Sequence, residues 1–66
     1  MRINKEKLEL SMANACINTF DLCEKAGIQY KTFRRVANGG SCKPSTAGRI
    51  ARVLEVIVEQ IIEKEA

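Results

Sequence analysis

The stretch Thr19-Phe20-Asp21-Leu22-Cys23-Glu24-Lys25-Ala26-Gly27-Ile28-Gln29-Tyr30-Lys31-Thr32-Phe33-Arg34-Arg35-Val36-Ala37-Asn38 decides how this chain folds. Each half carries an apolar stripe at helical spacing. Leu22, Cys23 and Ala26 form the first, and Phe33, Val36 and Ala37 the second. Between them stands Gly27, the residue type best able to take a positive φ after a helix end. A helix is therefore expected from Thr19 to Ala26, capped by Asn18 or Thr19, with Ile17 placed as a hydrophobic staple. A second runs from Gln29 or Tyr30 to Asn38, and Asn38-Gly39-Gly40 ends it. Ile28, apolar inside the turn, is expected to anchor in the core.

Working outward, Asn4 is a good N-cap for a first helix that stops around Cys16, with Glu6 beside the positive end of its dipole. Leu8, Met12 and Ala15 form its expected buried stripe. Downstream of a loop from Gly39 to Pro44, Ser45 or Thr46 caps a fourth helix that runs through Leu54 and turns Ile50, Ala51 and Leu54 inward. Gly48 inside that helix costs roughly 1 kcal/mol relative to Ala, which suggests a close backbone contact there. Val56 to Lys64, with Val58, Ile61 and Ile62 at helical spacing and Glu59, Glu63 and Glu65 outside, reads as a fifth helix separated by a break near Glu55-Val56. One long bent helix is the alternative.

At 66 residues the chain makes one all-α domain, near the lower size at which a single core holds itself together. Nothing approaches the ~20 apolar residues needed to span a bilayer, and the charged start Met1-Arg2-Ile3-Asn4-Lys5 leads into no signal-type apolar run. A cytoplasmic protein without membrane contact is expected. Cys16, Cys23 and Cys42 form no C-x-x-C pair and the chain has no His, so neither a metal site nor a cofactor is expected. The thiols read as small apolar residues.

Charge is segregated. Between Glu24 and Glu55 no acid occurs, while Lys25, Lys31, Arg34, Arg35, Lys43, Arg49 and Arg52 all fall there. The net charge of +3 is thus concentrated into one contiguous half of a small domain, the arrangement expected of a partner for a polyanion. Two short helices joined by a glycine-containing turn within that window point to duplex DNA, the second helix entering the major groove.

The run Ile17 to Ile28 resembles the pattern L-S-Q-x-x-L-A-x-x-A-G-I of the Cro/repressor (XRE-like, lambda-repressor-like) helix-turn-helix domains. Thr32-Phe33-x-x-Val36-x-Asn38-Gly39, Lys43-Pro44-Ser45, Ile50-Ala51-x-x-Leu54 and Val56-x-Val58 continue it over nearly the whole chain. The resemblance implies a compact five-helix bundle whose helices 2 and 3 form the helix-turn-helix. It places base contacts on Tyr30, Lys31 and Arg35, with Arg34 added, and phosphate contacts on Asn18, Thr19, Asn38, Lys43 and Ser45. Arg and Lys suit guanine O6 and N7, and helix N-termini suit phosphate. Arg49 and Arg52 read as solvated surface.

Three departures stand out. Thr19 replaces a Gln that bridges to the recognition helix in the family. Met12 and Ala37 replace a frequent Arg–Glu pair, a sensible joint loss because a lone buried charge is costly. Glu55 and Ile57 replace the usual residues around the start of helix five.

The expected function is a sequence-specific double-stranded DNA-binding regulator of phage or mobile-element repressor type, consisting of little beyond its reading head. A homodimer on a two-fold operator is expected, joined through the apolar residues of the last helix with Ile57 and Phe20. The alternative is a protein-interaction adaptor, an antitoxin or anti-repressor, working through its acidic carboxy-terminal helix. An enzyme is not expected, since catalytic side chains are missing from the basic region, and neither is a small-molecule substrate.

Overall fold

The computed structural model of the chain describes residues 1–63. Four α-helices follow one another: α1 (Lys5–Ala15), α2 (Thr19–Ala26), α3 (Tyr30–Ala37) and α4 (Pro44–Leu54), then a single 3₁₀ turn at Val58–Gln60. Among the described residues no β-strand forms beyond two isolated bridges, and the architecture is all-helical. No helix among the described residues is long and apolar enough to cross a membrane.

Local chemistry accounts for the boundaries. Asn4 Oδ1 accepts from the Lys7 N–H at 3.0 Å and Asn18 Oδ1 from the Asp21 N–H at 2.8 Å, capping α1 and α2. α1, α2 and α4 end the same way, with a left-handed residue whose successor donates back into the last turn. Those residues are Cys16 (φ 54°), Gly27 (φ 69°) and Glu55 (φ 57°). The returning bonds run from Ile17 N–H to Met12 O, Ile28 N–H to Cys23 O and Val56 N–H to Ala51 O, each 3.0–3.1 Å. Only one of the three is glycine, so two side chains occupy a conformation that disfavours them.

Pro44 opens α4, its fixed φ suited to the first helical position, with Lys43 as the cap residue. The helix thus starts earlier than a Ser45 or Thr46 cap would have it. α2 packs on both α3 and α4, and α1 on α4 and the 3₁₀ turn. Leu22, Val36, Ala47, Ile50 and Ile61 are fully enclosed, with Ile3, Leu8, Phe33 and Leu54 around them. Truncating Leu22 or Ile50 to alanine should cost about 2–5 kcal/mol, a large share of what so small a core supplies.

Several expectations need correction. In α1 the stripe is Leu8, Ser11 and Met12; Ala15 is exposed. A Cβ added at Gly48 meets nothing within 4 Å, so no close contact explains that glycine. The fifth α-helix does not form among the described residues. Its expected end at Lys64, like Glu65, lies outside them. Glu55 turns left-handed, Ile57 is extended (φ −81°, ψ 153°), and one 3₁₀ turn follows.

The reason is a competing pairing. Val56, Ile57, Val58, Ile61 and Ile62 are all β-branched and gain little from a helix. The segment instead meets the amino terminus. Ile61 O accepts from the Asn4 N–H at 2.8 Å, the Glu63 N–H donates to Arg2 O at 3.0 Å, and Ile3 pairs with Ile62. Ile61 is thereby buried and Val58 and Ile62 pack against the core. These residues, expected to face a second copy, are committed to this chain's own interior.

Candidate nucleic-acid interface

The basic window folds into the last turn of α2, α3, the loop after it and α4. Every cation in it is exposed: Lys25, Lys31, Arg34, Arg35, Lys43, Arg49 and Arg52. α3 divides cleanly. Phe33 and Val36 are buried, whereas Tyr30, Lys31, Arg34 and Arg35 are exposed. Burial of the first pair fixes the helix's rotation about its axis, and that rotation directs the other four outward.

The four do not behave alike. Lys31 has no hydrogen-bonding partner among the described residues. Arg34 holds its guanidinium carbon 5.8 Å from the Tyr30 ring centroid, within cation–π range. Arg35 turns away towards the loop, its Nη1 donating to the Ser41 carbonyl at 3.0 Å, while its own carbonyl accepts from the Gly40 N–H at 2.9 Å. A Cβ at Gly40 would stand 2.6 Å from that carbonyl, so Gly40 is required by close approach. Arg35 is thus a strut for the loop, with its remaining N–H donors still available to a ligand.

That loop is held from its other side as well. The Cys42 N–H donates to Met1 O at 2.8 Å and Arg2 pairs with Ser41. The role of Met1 and Arg2 in positioning Lys43 was not legible in the sequence, because two residues give no periodic signal. Between α3 and the start of α4 lies an open groove of about 440 Å³, lined by Thr32, Arg35, Ser41, Cys42, Lys43 and Thr46.

Of the expected phosphate contacts, Asn18 spends its side-chain oxygen on the α2 cap and keeps its amide N–H groups free. Thr19 is half-buried at the first position of α2, and Asn38 is exposed at the end of α3. Lys43 and Ser45 are exposed at the start of α4, where no side chain caps the helix. Pro44 carries no N–H and the Thr46 N–H already donates to Lys43 O at 3.0 Å, which leaves the Ser45 N–H of the first turn for an anion.

One contact had no counterpart in the sequence reading. Phe20 stacks on Tyr30 with ring centroids 4.9 Å apart and planes 8° from parallel. It joins the first turn of α2 to the first residue of α3. Cys23 of α2 is buried, and desolvation pushes its thiol pKa up.

No family model matches the chain, and no curated protein is similar to it in sequence. Solved structures do share its fold. A mutant of hydroxyethylphosphonate dioxygenase is 24% identical over 100% of this chain, with a TM-score of 0.84. PhpD with cadmium complexed with hydroethylphosphonate is also 24% identical over 100% of this chain, with a TM-score of 0.83. In both cases the match spans 14% of the other chain, so this protein corresponds to a small helical portion of a much longer one. At that identity the likeness extends to the fold alone.

Proposed function

We propose that this chain is a sequence-specific duplex-DNA-binding regulator of the Cro/repressor helix-turn-helix kind, with α2 and α3 as the motif and α3 as the reading helix. One observation carries the reading. The face of α3 that bears Tyr30, Lys31 and Arg34 is open to solvent, while the opposite face is locked into the core. The sequence that contains it carries no acid between Glu24 and Glu55 and supplies positive charge for a phosphate backbone. α3 would enter the major groove, Lys31 and Arg34 meeting guanine edges. Lys43, Ser45 and the uncapped start of α4 would hold a phosphate and set the docking angle. Arg35, tied to Ser41, would read a base and brace that phosphate site at once.

In this reading the protein acts in the cytoplasm by occupying an operator, without catalysis, cofactor or small-molecule substrate. A homodimer on a two-fold site supplies the affinity that one reading head lacks. Of the apolar residues expected to join two copies, Ile57 remains 62% and Phe20 68% exposed. Exposed Leu10 and Ile57 also favour the second reading, an adaptor that binds a protein partner.

Selection of bound sequences from a random duplex pool, followed by a salt titration on the winner, tests the proposal. Enrichment of a defined sequence is expected, with log K falling by about 0.9 per decade of salt for each phosphate neutralised. A pool with nothing enriched, or affinity indifferent to salt, would refute it. Arg34→Ala should then relax preference at one base position and cost ~1–3 kcal/mol on the selected site.

A further inference from the structure

Phe20 is the residue on this surface whose placement packing does not explain. It is 68% exposed even with one ring face covered by Tyr30, so the stack hides little of it from water. Tyr30 is itself 40% exposed. The pair forms a flat apolar platform at the opening of α3, beside the cations of Lys31 and Arg34 on the same helix. An apolar surface bordered by positive charge complements a ligand that shows an apolar group within a field of anions. In the major groove that group is the C5-methyl of thymine, which aromatic and small apolar side chains contact.

Resting on the duplex-DNA reading above, we propose that the stacked Phe20–Tyr30 pair is a thymine-methyl reader, making Phe20 a specificity-determining residue supplied by α2 rather than by the reading helix. Where the first residue of α3 enters the groove, Phe20 follows within one stacking distance, 4.9 Å. Its ring widens the apolar contact beyond what one tyrosine offers. It also fixes the Tyr30 ring, so little rotamer freedom is lost on docking. The preferred site therefore carries an A·T pair at the position met by the amino-terminal end of α3.

The test uses the full chain and the duplex returned by selection. Each thymine is replaced in turn by deoxyuridine, which keeps every hydrogen bond and removes only the methyl group. The wild-type protein should lose about three- to fourfold in affinity at one or two neighbouring positions, the equivalent of one buried methyl. Phe20→Ala should bind the parent duplex more weakly and abolish that thymine-versus-deoxyuridine difference, with the salt slope unchanged. Tyr30→Phe, which retains the stack, should preserve the difference. Because Phe20 lies on the surface, a thermal melt verifies that Phe20→Ala folds.

The proposal is overturned if no position responds to methyl removal, if Phe20→Ala responds like wild type, or if Tyr30→Phe loses the discrimination. A steep salt slope with an enriched sequence would meanwhile leave the DNA reading standing. A pool that enriches nothing overturns both.

Discussion

Replacing Gly48 with alanine should stabilise this fold, and the size of the gain follows from its surroundings. Gly48 lies in the middle of α4, its φ is not in the left-handed region, and an added Cβ meets nothing within 4 Å. No native contact is therefore lost. The gain is the difference in helix propensity, about 0.8–1.0 kcal/mol, much of it from fewer conformations open to the unfolded chain. For a domain of this size ~1 kcal/mol corresponds to a rise in Tm of roughly 4–8 °C.

Gly40→Ala is the matched control. It restricts the unfolded chain equally but drives a methyl to 2.6 Å from the Arg35 carbonyl, so α3's last turn or the loop must shift. Its expected cost is about 1–3 kcal/mol. Thermal or urea denaturation of both variants at one protein concentration separates the native-state term from the shared unfolded-state term. A Gly48→Ala variant that melts below wild type would refute the reasoning, because α4 would then have to be closely packed at that point.

Other perturbations follow from the same structure. Glu55→Gly removes a side chain from a left-handed helix end and a negative charge from the carboxy-terminal end of α4, so a gain of about 0.5–1 kcal/mol is expected; a urea midpoint at or below the wild-type value would contradict it. Lys43→Ala should weaken binding to all duplexes alike and reduce the salt slope by about 1, as loss of one phosphate contact requires; a change confined to one base position would assign Lys43 to base reading instead. Cys23 titrates above its ordinary value of 9.0 when folded, so the native state keeps a proton that the unfolded chain releases. Stability should therefore be complete below about pH 9 and fall above it, by up to ~1.4 kcal/mol per pH unit until the folded thiol ionises. In urea titrations across that range Cys23→Ala should show a flatter decline, and an unchanged slope would remove the thiol as its cause.

The amino-acid order alone determined the parts governed by local chemistry. Asn4, Asn18 and Gly27 announce helix ends through side-chain acceptors and a positive φ, interactions made within a few residues. The periodic burial of Leu22, Cys23, Phe33 and Val36 follows from helical geometry, so the bounds of α2 and the inward face of α3 were legible, as was the confinement of positive charge to one half of the chain. Ser11 in place of Ala15, the open space around Gly48 and the tether from Arg35 to Ser41 were not. The last segment shows the difference most sharply. Val58, Ile61 and Ile62 stand at helical spacing, yet pairing with Arg2, Ile3 and Asn4 prevails. A hydrogen bond between residues nearly sixty positions apart leaves no mark on local propensity. The Phe20–Tyr30 stack belongs to the same class, for it exists only because the turn at Gly27 folds the start of α2 back beside the start of α3.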